Sequence, residues 1–280
     1  MQPKFPGNLG CQSGTLDWLM LGIVPAAGNA TRMQPLGGSK ELLPLGWNRE
    51  GGLRVIAEYL IERMFLAGAD RICLVISPHK HDLLAYFGHS RFGSRVFFVL
   101  QPEAAGLCDA VFRAAPHVES DEAVLIGLPD TVWHPRGAFD CVPRDTIHLI
   151  TFPVPNPEEF DAVDPGAGNR VARVEVKRPG LASRRVWGAI TAPGRAFLEL
   201  EQFWQARGAV DQYLGHLFNA WISAGGTVTF DTQGKSYWDV GTPGGYRQAL
   251  EARVWENESP WQVMVRQVPQ GPAEATRLAE

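Results

Sequence analysis

Apolar residues in the first half of the chain occur in short continuous runs, and amphipathic stretches separate these runs. Such runs predict strands that are buried on both faces, as in a parallel sheet. The runs lie at 19–25, 71–77, 95–101 and 123–128. The stretches with apolar residues at helical spacing lie at 53–69, 79–88 and 106–115. Strands that alternate with helices predict βαβ units and a mostly parallel sheet in an α/β fold.

The pattern changes after the apolar run at 146–154, where the regular alternation ends. Residues 169–178 and 184–191 predict antiparallel strands. Further strands are predicted at 226–232 and 236–241, and further helices at 194–206, 211–223 and 242–255. We therefore expect one main domain over 19–257, between an N-terminal arm at 1–18 and a C-terminal tail at 258–280.

The composition narrows the class of protein. Hydrophobic residues make up 45% of the 280 residues and charged residues 20%, as in ordinary globular proteins. The net charge is -4 and no block of like charge stands out, so we expect no nucleic acid as a partner. The four cysteines are far apart and form no CxxC pair, which favours buried free thiols over a disulfide framework or a cysteine metal site.

The apolar run at 19–25 resembles the core of a signal peptide. However, Asp17 precedes the run and Pro25 interrupts it. No run in the chain reaches the ~18 apolar residues that a membrane span needs. We therefore expect a buried strand in a cytoplasmic protein that has no membrane partner.

A loop of small residues follows this strand, within GIVPAAGNATRMQPLGGSKELLPLG (22–46). Small side chains let the backbone approach a ligand closely, and Arg32 and Lys40 indicate that the ligand is anionic. An arginine can bind two phosphate oxygens at once, and a lysine adds a mobile point charge. The loop lacks both GxGxxG and the Walker A spacing. We expect a triphosphate site of another kind, with the loop residues Ala26, Ala27, Gly28, Asn29, Ala30 and Thr31.

Two aspartates near predicted strand ends complete the candidate chemistry. Asp130 follows the run at 123–128, and Asp239 lies in the strand at 236–241. Ligands of α/β folds bind at the carboxyl edge of the sheet. Mg²⁺ that accompanies a nucleotide takes one or two carboxylates together with phosphate oxygens and water. Asp130 and Asp239 are therefore candidate Mg²⁺ ligands.

Five segments, in order, resemble the motifs of the sugar-1-phosphate nucleotidylyltransferases, and most nearly those of the glucose-1-phosphate thymidylyl- and uridylyltransferases. The segments are residues 22–46, QPEAAGLCDAV, IGLPDTVW, VEVKRPG and YWDVGTPGGYRQAL, and they cover about residues 19–255. The resemblance implies a three-layer α/β fold with a Rossmann-like nucleotide-binding half and a smaller antiparallel sugar-binding part. It implies that Asp130 and Asp239 hold Mg²⁺. It also implies that Gln101 and Gly106 hold a pyrimidine base and that Lys177 contacts the sugar phosphate.

Several positions depart from the family pattern. Ala30 replaces the second loop glycine, and it fits a tight loop if its φ is negative. Val176 stands where a glutamate usually precedes the lysine, and Glu175 lies one place outward. Asp161 occupies a position where glucose-specific relatives often have glycine. We therefore leave the sugar open, with Asp161, Glu175 and Gly188 as candidate sugar-binding residues, and we expect Asp161 to accept hydrogen bonds from hydroxyl or amino groups.

The resemblance implies a reaction between a nucleoside triphosphate and a sugar 1-phosphate. A phosphate oxygen of the sugar attacks the α-phosphorus and pyrophosphate leaves, while Mg²⁺ and the catalytic residues Arg32, Lys40 and Lys177 balance the charge. We expect UTP or dTTP, while GTP, ATP and CTP stay open, as does a homo-oligomer. A metal-dependent glycosyltransferase usually carries Asp-x-Asp, which the chain lacks, and a binding module without catalysis would be expected to lose one of these charges.

Overall fold

The computed structural model describes residues 19–47, 52–90, 92–140, 143, 145–180 and 183–256. The arm predicted at 1–18 and the tail at 258–280 lie outside these residues. The strands are β1 (Met20–Pro25), β2 (Pro44–Trp47), β3 (Leu53–Val55), β4 (Arg71–Ile76), β5 (Val96–Leu100), β6 (Ala123–Gly127), β7 (Thr131–His134), β8 (Ile147–Pro153), β9 (Asp161–Pro165), β10 (Val171–Val176), β11 (Arg185–Pro193), β12 (Val228–Asp231) and β13 (Ser236–Asp239). The helices are α1 (Ile56–Leu66), α2 (His81–His89), α3 (Leu107–Phe112), α4 (Gly194–Ala206), α5 (Leu214–Ser223) and α6 (Pro243–Glu251).

In the described part of the chain, nine strands form the main sheet, in which β6, β1, β4 and β5 are parallel neighbours. The side chains of β1 show how the sheet is covered, since they alternate between two cores. Leu21 and Ile23 pack in the core that includes residues of α3, α4 and α5, whereas Val24 packs in the core that includes residues of α1 and α2. The sheet therefore lies between two helical layers, which confirms the three-layer α/β fold.

The antiparallel part is continuous with the parallel sheet. Strand β11 pairs antiparallel with β6 on one side and with β8 and β9 on the other. The strand order along the main path is β10-β9-β11-β6-β1-β4-β5, so β9 lies between the two antiparallel strands that the sequence predicts. The sequence does not predict β9 because aspartates, here Asp161 and Asp164, are uncommon in strands.

The predicted helix at 53–69 is wrong at its beginning. Leu53–Val55 forms β3, which pairs antiparallel with β2, and helix α1 begins at Ile56. Apolar spacing within one window cannot show this pairing because the partner strand lies outside the window. The helix ends at Leu66, three residues before the predicted end, and Gly68 adopts φ 103 just after the C-cap residue Ala67.

Two of the cysteines can be placed. Cys73 and Cys108 are buried free thiols, as predicted, and burial raises the pKa of each to about 12. Cys11 and Cys141 lie outside the described residues. Within the ranges that the structure describes, no helix is both long and apolar enough to cross a membrane.

Candidate active site

The loop after β1 leaves the sheet at the carboxyl edge of the parallel strands, as predicted. Ala26 and Ala27 are buried, and the Ala26 N–H donates to Val75 O at 2.7 Å. Gly28 and Asn29 are exposed. A Cβ added at Gly28 would have no atom within 4 Å. The backbone therefore borders open space, which a phosphate chain could occupy.

Ala30 adopts a left-handed conformation, with φ 51 and ψ 34, so the negative φ with which an alanine would fit the loop without strain is not observed. This conformation costs an alanine about 1–2 kcal/mol because its Cβ approaches the following carbonyl oxygen. The bend is followed by a short 3-10 turn, Thr31–Met33, in which the Met33 N–H donates to Ala30 O at 2.9 Å. The turn carries Arg32, which the sequence predicts as a phosphate ligand.

Two ion pairs bring the candidate phosphate and metal residues together. Lys40 Nζ lies 2.5 Å from Asp130 Oδ2, and Arg32 Nη1 lies 3.4 Å from Asp239 Oδ2. Both side chains of the first pair are 13% exposed, whereas Arg32 is 61% exposed. A Cβ added at Gly241 would clash with the Asp130 carboxylate and lie 3.0 Å from Asp239 Oδ1. Both carboxylates therefore converge on Gly241.

Asp239 does not end a strand of the main sheet, in contrast to the arrangement that the sequence suggests. Strand β13 pairs with β7 in a separate two-stranded antiparallel sheet, in which Asp239 lies opposite Thr131. The Val240 N–H also donates to Asp130 O at 2.9 Å. Since Asp130 directly precedes β7, this pairing holds the two aspartates side by side.

The two carboxylates fit a shared divalent cation. Burial raises the pKa of Asp239, the neighbouring Asp130 carboxylate raises it further, and Arg32 opposes both effects. Carboxylate oxygens suit Mg²⁺, and the missing side chain of Gly241 keeps the space between them free. Among the described residues, no group of three or more His, Cys, Asp or Glu side chains could hold a metal ion. Phosphate oxygens and water would therefore complete the coordination.

Gln101 and Gly106 contact each other directly. Gln101 Nε2 donates to Gly106 O at 3.0 Å and to Asp109 Oδ2 at 2.8 Å, which uses both amide hydrogens. Within the described part of the chain, Gln101 Oε1 accepts no hydrogen bond, although the residue is only 4% exposed. Gly106 adopts φ 100, and a Cβ there would lie 2.8 Å from Gln212 Cβ. The positive φ and the closeness of Gln212 therefore explain why residue 106 is a glycine. The contact of Gly106 with a base stays a prediction.

Lys177 lies at the end of β10 and is exposed. The Lys177 ammonium lies 4.9 Å from the centre of the Tyr213 ring, and the Lys177 backbone N–H donates to Phe160 O at 3.0 Å. Burial raises the pKa of Asp161, and the positive charge of Lys177 opposes this shift. The structure therefore brings Lys177 and Asp161 into one region, on the β9–β10 pair.

Asp161 and Glu175 do not share a face of the β9–β10 pair. A Cβ at Gly215 in α5 would lie close to Val176 and 3.1 Å from Asp161 Oδ2, so these two side chains face the helix. Glu175 precedes Val176 in the strand and therefore points to the other face. There it contacts Arg173 and Arg178, at 3.2 and 3.3 Å.

Gly188 lies where the chain packs closely against aromatic rings. A Cβ at this position would meet Tyr237 Cε2 at 2.5 Å and Phe152 Cδ2 at 2.8 Å. Both Asp239 and Asp130 act on the Tyr237 hydroxyl, whose pKa is raised first by burial and then by these two charges. Tyr237 therefore lies between the paired carboxylates and Gly188.

Sequence reasoning missed Tyr237 and Gly241 as site residues, although both stand in a motif that it used. Gly241 had a local signal. Its N–H donates to Asp239 Oδ1 at 2.9 Å, and Asp-x-Gly is a common turn in which an aspartate binds the backbone two residues on. Tyr237 had no such signal, because its contacts come from β11 and β8.

The chain is similar to known proteins in sequence. A family model described as Nucleotidyl transferase matches residues 21–177. The Bifunctional protein GlmU of Sorangium cellulosum (strain So ce56) is 29% identical over 175 residues, which are 58% of this chain and 35% of that protein. UTP–glucose-1-phosphate uridylyltransferase AglF of Haloferax volcanii is 25% identical over 108 residues, which are 39% of this chain and 43% of that protein. The chain thus matches less than half the length of either relative.

Solved structures share the fold over most of the chain. A structure described as a glucose-1-phosphate thymidylyltransferase from Bacillus anthracis, in complex with a sucrose, has a TM-score of 0.71 and covers 84% of this chain and 95% of its own. A UDP-glucose pyrophosphorylase from Acinetobacter baumannii has a TM-score of 0.68, and the match covers 85% of this chain and 94% of that one. Both are 19% identical to this chain, so the likeness concerns the fold alone.

Proposed function

The chain belongs to the nucleotidyl transferase family, and we propose that it transfers a nucleotidyl group from UTP or dTTP to a sugar 1-phosphate, with release of pyrophosphate. One observation carries this proposal. Two cations and two carboxylates, Arg32, Lys40, Asp130 and Asp239, meet at one place, and Arg32 belongs to the turn that follows the open loop at Gly28. A triphosphate bound with a divalent cation requires charges of both signs at one place, and the loop and the β7–β13 pair supply them.

In the proposed reaction, a phosphate oxygen of the sugar 1-phosphate forms a bond to the α-phosphorus. The bond between that phosphorus and the bridging oxygen to the β-phosphorus breaks, and pyrophosphate carries away the electron pair. The attacking oxygen is already an anion, so no strong general base is required. The work of the chain is to orient the two phosphates in line and to balance their charge.

Each charged side chain has one part in this scheme. Arg32, which is exposed, can bind two oxygens of the triphosphate, and Lys40 supplies a point charge from its partly buried position beside Asp130. Lys177 would orient the phosphate of the sugar. Asp130 and Asp239 would hold Mg²⁺, which neutralises phosphate charge when it is bound.

The choice of base depends on Gln101 in this proposal. Both of its amide hydrogens are bound to Gly106 and Asp109, so the side chain can offer a base only the acceptor Oε1. The ring N3–H of uracil or thymine would donate to it. Cytosine has an acceptor at that position, which argues against CTP.

The choice of sugar depends on the β9–β10 pair. Asp161 is buried against α5 and near Lys177, where a carboxylate would accept hydrogen bonds from a hydroxyl or amino group that reaches it. We therefore propose a sugar other than plain glucose, with Asp161 at its subsite; Glu175 lies on the other face of the β9–β10 pair and does not share that subsite. Glucose 1-phosphate that outperforms every amino, deoxy and epimeric analogue would contradict this part.

The test of the function is a matrix of nucleoside triphosphates against sugar 1-phosphates, with Mg²⁺, read as pyrophosphate release. We expect release with UTP or dTTP at a kcat/KM at least about tenfold above that with ATP or GTP, which requires only about 1.4 kcal/mol of differential binding. Arg32→Lys should lower the rate because lysine lacks the bidentate fork. Arg195→Lys is the matched control, since Arg195 is equally exposed and forms an ion pair with Glu199 in α4.

The alternatives give different results in the same assay. A chain that binds UTP but releases no pyrophosphate with any sugar 1-phosphate is a binding module. A chain that instead transfers the sugar from a nucleotide sugar is a glycosyltransferase. A preference for ATP or GTP would refute the pyrimidine assignment and leave the nucleotidyl transfer intact.

A further inference from the structure

Hydrogen bonds connect the residues on both sides of Lys40 to side chains at the beginning of α2. The Ser39 N–H and hydroxyl each donate to the Asp82 carboxylate at 2.7 Å. Lys80 Nζ donates to the two carboxylate oxygens of Glu41 at 2.8 and 2.9 Å. The residues immediately before and after Lys40 are thus held by two side chains that lie two residues apart.

The Lys80–Glu41 pair is unusual in its burial. Glu41 is 1% exposed and Lys80 is 7% exposed. Burial raises the pKa of Glu41, and the Lys80 ammonium opposes this shift. A buried ion pair contributes little net stability compared with apolar side chains of similar size, whereas loss of one partner leaves a costly buried charge. The pair is therefore better explained by the geometry that it imposes on the segment around Lys40.

Lys40 itself points away from both of these contacts. The backbone of Lys40 begins a 3-10 turn, Lys40–Leu42, and its side chain reaches Asp130, which directly precedes β7 at the proposed phosphate site. A lysine side chain has a flexible four-carbon stem, so its ammonium is well placed only if its backbone is held in position. The contacts on Ser39 and Glu41 hold the backbone of Lys40.

We propose that Lys80 and Asp82 are positioning residues for Lys40, which hold its backbone so that its ammonium stays beside Asp130. This inference rests on the proposed function, since it assigns Lys80 and Asp82 an effect on the reaction without contact with the substrate. Glu41 and Ser39 are the residues through which they act.

Three variants test the inference. Asp82→Ala removes the acceptor of the Ser39 N–H and hydroxyl. Glu41→Leu with Lys80→Met replaces the buried pair by apolar side chains, so that no charge is left buried and the fold is retained. Lys80→Arg keeps the charge and the hydrogen bonds to Glu41 and serves as the rescue.

The matched control is Asp70→Ala. The Asp70 carboxylate accepts a hydrogen bond from the Met20 N–H at 2.7 Å, as Asp82 does from the Ser39 N–H, but it lies at the amino end of β1, at the opposite edge of the sheet. Both substitutions remove a carboxylate that binds the backbone of a distant segment. Only the one at Asp82 should affect catalysis.

The measurements are kcat and KM from pyrophosphate release, and the midpoint of thermal unfolding. We expect Asp82→Ala and the double variant each to lower kcat about tenfold or more, because small displacements of a catalytic group are costly, with a smaller change in KM for the sugar 1-phosphate. Lys80→Arg should retain most of the activity, and Asp70→Ala should keep kcat within about twofold of the parent. In a Lys40→Ala background, Asp82→Ala should have no further effect on kcat.

Two results would overturn the inference. One is a folded Asp82→Ala or double variant with the kcat of the parent. The other is an equal loss of kcat in the presence and absence of Lys40, which would mean that Asp82 acts by another route. If turnover of Lys40→Ala is below detection, the same comparison is made on the affinity for inorganic pyrophosphate with Mg²⁺. A parent that releases no pyrophosphate refutes the proposed function, and the affinity for pyrophosphate then still decides whether Asp82 acts through Lys40.

Discussion

Gly28→Ala tests whether the loop after β1 is open because a ligand binds there. A Cβ added at Gly28 has no atom within 4 Å, and Gly28 is not among the glycines with positive φ. An alanine therefore fits the folded chain without strain, and it restricts the unfolded chain, so the free energy of unfolding should stay equal or rise by about 0.4–1 kcal/mol. In the proposed complex, the added methyl group would stand between the backbone and the triphosphate. We expect kcat/KM for UTP to fall at least about tenfold, which corresponds to about 1.4 kcal/mol.

Gly88→Ala is the control for this experiment. Gly88 is exposed near the end of α2, has no positive φ, and offers equally open space to a Cβ. Chemical denaturation should show both variants at least as stable as the parent, and steady-state kinetics of pyrophosphate release should show a loss in Gly28→Ala alone. A Gly28→Ala variant with the kcat/KM of the parent would show that no ligand approaches the backbone at this position.

Three further predictions concern the same segment and its neighbours. Asp130→Asn and Asp239→Asn should each lower kcat with Mg²⁺ by orders of magnitude while the far-UV circular dichroism stays unchanged; a variant with near-parent kcat would remove that residue from the metal site. Ala30→Gly should raise the free energy of unfolding by roughly 0.5–1 kcal/mol, because glycine accepts φ 51 without the steric cost of alanine but loses more entropy on folding; a decrease in urea unfolding experiments would contradict the left-handed geometry. Burial acts to raise the pKa of Asp82, but the hydrogen bonds from Ser39 and from the Leu83 N–H outweigh it and lower the pKa below its ordinary value of 3.8. The carboxylate therefore stabilises the fold above pH 3.8, and this contribution is lost as the pH falls through the lower native pKa. The difference in free energy of unfolding between the parent and Asp82→Asn should shrink below pH 3.8, and a difference that is the same at pH 7 and in acid would disprove the role of these hydrogen bonds.

Several features of the site could be predicted because they are local in the chain. The small residues from Ala26 to Thr31, followed by Arg32, read as a backbone that approaches an anion, and the structure leaves Gly28 open as that interpretation requires. The motif containing Gln101 and Gly106 places them five residues apart, and a hydrogen bond joins them. Residues this close in sequence limit the conformations of a loop strongly, so such features can be predicted from residue types.

Other features could not be predicted from residue types. The conformation of Ala30 is one, since alanine disfavours a positive φ. The role of Gly106 is another, because the Gln212 backbone and side chain that fill the space beside it come from the connection between α4 and α5. Neither pattern nor composition in the first half of the chain contains this information.

The sequence by itself determined that buried strands alternate with helices, that a small-residue loop and two cations follow the first strand, and that Asp130 and Asp239 stand near strand ends. Only the tertiary structure decided how they meet. The pairing of β7 with β13 outside the main sheet places the two carboxylates side by side, and the register of β9 on β10 puts Asp161 and Glu175 on opposite faces. The physical reason is that burial patterns specify which face of a strand is covered, whereas a shift of one residue in pairing turns every side chain to the other face, and register is set by contacts among the assembled elements.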